Sequence, residues 1–362
     1  MKKTLSLVLC LFLIVFSIAC ANTNQVVEQS SEENNPEQPA AASEAEQPVE
    51  TVEPEQLPDE IEEPEEVPQV SSEPVKVAAL AGPTGMGLAY MMQDMQDRYS
   101  VELFTAPDQV TAKVINGEVD IAAVPINLAS VLYKKTEGKV NIIAINTLGV
   151  LYLLENGETV NSVSDLSGKT IYATGQGSTP EYILNYLLAA NGLTDSVTVE
   201  YIADNSELIA KLADGSVELA LLPEPHVSIA TAQNDKVRVA LKINDLWSEK
   251  NDTKLVQGVY IVRADYLESN RAQVDAFLND AEISANKVVT DENAASVIVA
   301  QGIIGKEPIA KRAIPNCNIT LVKGEEMKAS VSAMLKVLFD ANPKSIGGSM
   351  PDDDFYYAPD PS

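Results

Sequence analysis

Hydrophobic positions change their rhythm repeatedly along this chain. Short unbroken apolar runs alternate with longer stretches in which apolar residues recur every three or four positions. The runs Val75–Ala81, Val101–Thr105, Ile121–Val124, Asn141–Asn146, Thr170–Ala173, Val197–Ile202, Leu219–Leu222, Val237–Lys242 and Val256–Arg263 read as buried strands. Between them the period predicts helices from Gly87 to about Tyr99, then over Asp108–Asn116, Asn127–Lys135 and Ser206–Ala213, and a leucine-rich helix after Ser178. Leu148–Leu154 is a further apolar run, and the remainder to Leu338 reads as mainly helical, broken by Pro308 and Pro315. The tail from Gly347 to Tyr357 reads as irregular. Strands alternating with helices predict parallel sheets covered on both faces.

The most structured turn is Thr170-Ile-Tyr-Ala-Thr-Gly-Gln-Gly-Ser-Thr-Pro-Glu-Tyr182. A strand ends, Gly175 and Gly177 supply permissive backbone, and Ser178-Thr179-Pro180 opens a helix. Ser178 as N-cap with Glu181 three residues on has the spacing of a capping box. Gln176, Gly177, Ser178 and Thr179 also offer free N–H groups, two hydroxyls and the positive end of a helix dipole, a setting for a polar or anionic group. Gly82-Pro-Thr-Gly-Met-Gly87 builds a second strand–glycine–helix tip, where Thr84, Gly85 and Met86 can face a ligand. It lacks the Gly-Lys-Ser/Thr of a phosphate-binding loop and a GxGxxG fingerprint.

The two tips belong to an internal echo. Ala112–Pro125 aligns without gaps on Ala210–Pro223 over 14 positions: helix, Asn/Asp-Gly turn, acid, buried strand, proline. Two similar α/β halves follow, with ligands expected at the carboxyl ends of their strands. That places both tips, Asn127 and Pro223-Glu224-Pro225-His226 around one crevice. Glu224 can pair with a ligand cation or be solvated. Glu181 fits a cap better than a contact, His226 a helix-start or packing role rather than a contact, and Trp247 a hydrophobic anchor rather than a stacking platform.

Composition alters the picture at the amino end. Residues 1–20 are Met-Lys-Lys, an apolar run from Leu5 to Ile18, then Ala19-Cys20, the layout of a secretory signal. Residues 21–74 contain 16 of the 53 acidic residues and no lysine or arginine, with little that can be buried. They read as a solvated tether, roughly 40 Å across as a coil and about 170 Å extended. The body from 75 to 362 keeps 37 acids against 23 bases, so no general field for nucleic acid or anionic lipid is expected. Three cysteines (Cys10, Cys20, Cys317) and one histidine leave no disulfide framework, and a histidine zinc site or triad is not expected. Cys317 reads as a small buried residue.

Ser17-Ile-Ala-Cys20 resembles the bacterial lipobox, departing from it at Ser17. This implies cleavage before Cys20 and lipidation of that thiol. With Tyr172–Tyr182, Asp214-Gly-Ser-Val-Glu-Leu-Ala-Leu-Leu-Pro-Glu-Pro225 and Ala106–Ala123, the chain resembles extracytoplasmic solute-binding lipoproteins of ABC transporters. It is most similar to the nitrate/sulfonate/taurine/bicarbonate group, which includes thiamine-precursor binders. The resemblance spans about 75–340. It implies a two-lobe type II periplasmic-binding-protein fold, with crossings placed near Leu148–Leu154 and Gly258–Val262. The implied organisation is a signal peptide at 1–19, a lipidated tether at 20–74, lobe 1 at 75–152 and 260–362, and lobe 2 at 153–259. The implied partners are a small polar or anionic solute, an ABC permease and its ATPase, and the membrane through the lipid; no cofactor, nucleic acid or catalysis is implied, and a monomer is expected. The family's Gly-Ser-Thr helix start, which holds the ligand's anionic group, falls on Gly177, Ser178 and Thr179. Where taurine binders often carry a His, Pro180-Glu181 stands here. An enzyme on the same fold, such as a menaquinone-pathway dehydratase-like protein, and a tethered sensor are the alternative classes.

Overall fold

The computed structural model describes residues 73–357. The expected signal at 1–19, the expected lipidation site Cys20 and all but the last two residues of the expected tether at 20–74 lie outside the described residues. Eleven strands are described. They are β1 (Val75–Leu80), β2 (Tyr99–Phe104), β3 (Ile121–Pro125), β4 (Val140–Leu148), β5 (Leu151–Asn156), β6 (Thr170–Ala173), β7 (Thr198–Tyr201), β8 (Leu219–Pro223), β9 (Val237–Lys242), β10 (Val256–Arg263) and β11 (Ile319–Val322).

They form two sheets, ordered β11-β4-β10-β3-β1-β2 and β7-β6-β8-β5-β9. In the first, β1 lies parallel between β2 and β3, and β10 runs antiparallel between β3 and β4. In the second, β6 lies parallel between β7 and β8, and β5 runs antiparallel between β8 and β9. The two sheets therefore match place for place, apart from the extra edge strand β11. The echoed segments occupy equivalent positions, each supplying the third parallel strand and the helix before it. β3 and β8 are apolar and buried through four of their five residues, as strands covered on both faces must be.

The strand that enters each sheet directly after a crossing, β5 or β10, takes the same antiparallel place. This fixes where the chain changes lobe. The first crossing is Gly149-Val150, inside the expected stretch. The second runs from the end of β9 through the helix Ile243–Ser248 to Val256. Gly258–Val262, expected to be a crossing, instead pairs with β3 and β4 inside the first sheet. The reason is local: a Cβ on Gly258 would sit 2.6 Å from Asn146 Oδ1 and 3.1 Å from Thr84, so the glycine permits close packing rather than a break.

Two further expectations change. The helix expected from Gly87 to Tyr99 is two short helices, Pro83–Met86 and Ala89–Asp94, with Tyr99 already in β2. The remainder expected to be helical contains β11, which pairs with β4. The irregular tail is pinned: Phe355 is fully buried and the Tyr357 N–H donates to Ile142 O at 2.9 Å. Trp247 is fully buried in the second crossing, its indole N–H donating to Thr253 O at 2.9 Å, with Tyr186 5.2 Å away. It is an anchor.

The two crossings pack on each other. A Cβ on Gly149 would lie 2.5 Å from Leu255 Cδ2. The long helix Gly324–Ala341 buries Met327, Val331, Met334 and Leu335 in the apolar cluster that also takes Leu184 and Leu188 from the helix Thr179–Ala190. That apolar contact ties the carboxyl-terminal helix to the second lobe.

Candidate functional site

A cavity of about 770 Å³ lies where the carboxyl ends of β1 and β2 in one lobe face the carboxyl end of β8 in the other. Three pieces of chain wall it. The first is the turn Ala81-Gly82-Pro83, with Thr105 beside it. Gly82 adopts φ +97°, a region that favours glycine, and its N–H donates to Ile303 O at 3.1 Å. Pro83 then starts a short helix, held to β4 by Asn146 Nδ2 donating to Thr84 O at 3.3 Å.

The second wall is Pro223-Glu224-Pro225-His226, continuing to Ile229 and Gln233 on the helix His226–Gln233. Glu224 N–H donates to Val150 O at 3.0 Å, which couples this wall to the first crossing. The third wall is the loop Ile303–Lys306 with Ile309, between the helices Ala294–Ala300 and Glu307–Ala313.

Glu224 is the chemical centre of the cavity wall. It is 3% exposed, so the solvated alternative does not hold. Its Oε1 accepts from Ser228 Oγ and from Asn316 Nδ2, both at 3.0 Å, and its Oε2 accepts from Ser228 N–H at 3.2 Å. Burial pushes its carboxyl above the ordinary glutamate range, and the bonds from Ser228 and Asn316 oppose that push. Asn316 is itself fixed from the second lobe, because Tyr152 OH donates to its carbonyl at 2.6 Å. Next to Asn316, Cys317 is fully buried and its thiol is held well above the usual range by burial.

His226 opens the helix and lines the same cavity. Burial lowers its imidazole below the usual range, so the ring is neutral at neutral pH. Its Nδ1 is buried and meets no hydrogen-bond partner among the described residues. His226 thus starts its helix, as expected, and lies with Pro223-Glu224-Pro225 at the crevice where the sequence placed it.

The expected site residues divide. Glu224 lines the cavity. Thr84, Gly85 and Met86 follow directly on its first wall but point into lobe 1: Met86 is fully buried, and a Cβ on Gly85 would lie 2.6 Å from Leu80 O. Asn127 is half-buried in the first turn of the helix Ile126–Lys135, outside the cavity lining. Gln176, Gly177, Ser178 and Thr179 form the tip after β6, also outside that lining. There the expected capping box is not formed. Ser178 Oγ donates to Gly175 O, and Glu181 accepts from Gly177 N–H rather than from Ser178. Two flexible glycines let the turn close on itself, so the side chains bind the turn instead of the helix end. Tyr182 OH, donating to Gly177 O at 2.8 Å, locks it.

Sequence reasoning missed the third wall, Ile303–Ile309. Its one local signal is the pair Gly302 and Gly305 ahead of Pro308, which ends one helix and starts the next.

Two α/β lobes of matching topology, joined by two crossings and enclosing a cavity at their strand ends, define a type II periplasmic-binding-protein fold. The chain belongs to the NMT1/THI5-like family, whose model matches residues 100–295. Solved structures share the fold. An ABC transporter from Parabacteroides distasonis is 24% identical with a TM-score of 0.68, over 79% of this chain and 99% of that one. The periplasmic aliphatic sulphonate binding protein SsuA from Escherichia coli is 20% identical with a TM-score of 0.61, over 77% and 91%. The alkanesulfonate-binding protein SsuA from Xanthomonas axonopodis pv. citri, bound to MOPS, is 15% identical with a TM-score of 0.54, over 77% and 95%. No curated protein matches this chain.

Proposed function

We propose that this chain is the extracytoplasmic solute-binding component of an ABC importer, which captures a small polar solute and delivers it to a permease. The observation that carries the reading is the cavity between the strand ends of the two lobes, with the buried Glu224 in its wall. Family membership and the sulfonate-binding neighbours support it. The solute classes named by the resemblance, sulfonate, nitrate, taurine and thiamine precursors, are the first to be tried. Attachment through lipidated Cys20 and a tether would hold the binding body beside its permease outside the membrane. The work of capture is lobe closure rather than catalysis.

Closure would turn about the packed crossings at Gly149 and Leu255. Solution scattering on the purified body, with each solute that raises its melting temperature, tests this. The radius of gyration is expected to fall at saturation. An unchanged profile with a solute proven to be bound contradicts closure.

A further inference from the structure

The cavity's chemistry points to a narrower class of solute. Resting on the reading above that this cavity captures a solute, we infer that its ligand is an organic cation, an ammonium or amidinium group on an apolar body, and not a small oxyanion.

Four observations carry this. The first is the unpaired carboxylate. Glu224 is 3% exposed, and no lysine or arginine forms an ion pair with it among the described residues. A buried carboxylate without a counter-ion is costly, and a cation entering beside it relieves that cost. An anion entering the same space meets like charge where water screens poorly. The second is the hydrogen-bond inventory. Oε1 accepts two bonds and Oε2 one, from the Ser228 N–H, among the described residues, fewer than the roughly four a carboxylate can take.

The third is the rest of the lining. Ile229, Ile303, Ile304 and Ile309 make it mainly apolar, and Lys306 is its one positively charged side chain, exposed where the loop meets solvent. Among the lining side chains, positive charge is confined to the exposed Lys306, while His226 is neutral and Glu224 is acidic. The fourth is size. A cavity of about 770 Å³ suits a molecule with a substantial body. The acidic balance of residues 75–362, 37 acids against 23 bases, favours approach of a cation.

The test is calorimetry with a matched pair, 3-phenylpropylamine and 3-phenylpropanesulfonate, which share a body and differ in the sign of the charge. The wild-type protein is expected to bind the amine at least about tenfold more tightly than the sulfonate. Glu224→Gln is expected to bring the two affinities together. Lys306→Gln, an exposed change that the fold tolerates, is expected to widen the gap, and it decides the matter if Glu224→Gln fails to fold. Equal or tighter binding of the sulfonate in the wild type, or a gap unmoved by Lys306→Gln, overturns the inference. A run of nitrate and taurine alongside separates the two claims. If either of these or the sulfonate is the tighter ligand, the cation class fails and solute capture stands. If neither arm binds, the cation class fails, and solute capture rests on the melting and scattering tests above.

Discussion

Asn316 and Glu224 belong to different lobes and are joined at 3.0 Å, the Asn316 amide donating to the Glu224 carboxylate. Asn316 lies just before β11 in the first sheet, and Glu224 just after β8 in the second. The bond joins the lobes at a residue of the cavity wall and opposes the upward push of burial on the Glu224 carboxyl. Asn316→Ala removes a donor to a charged group, and a loss of about 1.5–3 kcal/mol of stability is expected in urea denaturation. Asn316→Asp sets a second carboxylate against Glu224. Its melting temperature, relative to wild type, is expected to recover toward acid pH as one of the two is protonated. Alanine and aspartate variants with the same pH dependence would rule out a charge-bearing contact.

The crossings make a second coupled pair. Gly149 is buried against Leu255, where an added Cβ would approach Leu255 Cδ2 to 2.5 Å. Gly149→Ala is expected to cost about 1–3 kcal/mol through overpacking, and Leu255→Ala about 2–5 kcal/mol through the space it leaves. In the double variant the new methyl occupies part of that space. A double-mutant cycle should therefore give a cost about 0.5–3 kcal/mol smaller than the sum. Additive costs would mean that the two crossings do not touch in solution.

Glu155 supplies the clearest pH dependence. It is 2% exposed in β5 and accepts from Thr159 N–H at 2.8 Å, Thr159 Oγ1 at 2.6 Å, Val160 N–H at 3.1 Å and Arg238 Nη2 at 2.6 Å. Burial pushes its carboxyl up, but the bonds from Thr159 and Val160 together with Arg238 outweigh it and hold the carboxyl below the ordinary range. A depressed folded value means stability that is present above the unfolded glutamate range and lost as pH falls through the folded one. Glu155→Ala is expected to cost about 2–3 kcal/mol at neutral pH, the lower side for a buried pair because Arg238 is partly exposed. The difference from wild type should shrink as the solution is acidified. A difference that stays constant down to acid pH would show that packing, not charge, is lost.

How much of this was legible in the sequence follows from the range of the interactions involved. The echo between Ala112–Pro125 and Ala210–Pro223 was visible because buried parallel strands are apolar runs, and their helices end at Asn/Asp-Gly turns whatever surrounds them. Val256–Arg263 was legible as a strand, but the crossing placed on Gly258–Val262 by the resemblance was not, because its pairing with β3 and β4 is long-range. Ser178 and Glu181 have the spacing of a capping box, yet Gly175 and Gly177 offered them closer partners. The burial of Glu224 depends on Ser228 four residues away and on Asn316 far along the chain, and only the first of these is a local signal. The wall Ile303–Ile309 was not legible, because nothing in those residues records which strand end they face.

Native mass spectrometry of the folded body purified from its own host, compared between wild type and Ile229→Trp, tests the central claim most directly. Ile229 lines the cavity on the helix after Glu224, and an indole there would fill space that a solute needs. The account predicts a small molecule retained by the wild type and absent from Ile229→Trp, with both proteins folded by circular dichroism. Equal retention by the two proteins, or no bound molecule in the wild type, would contradict it.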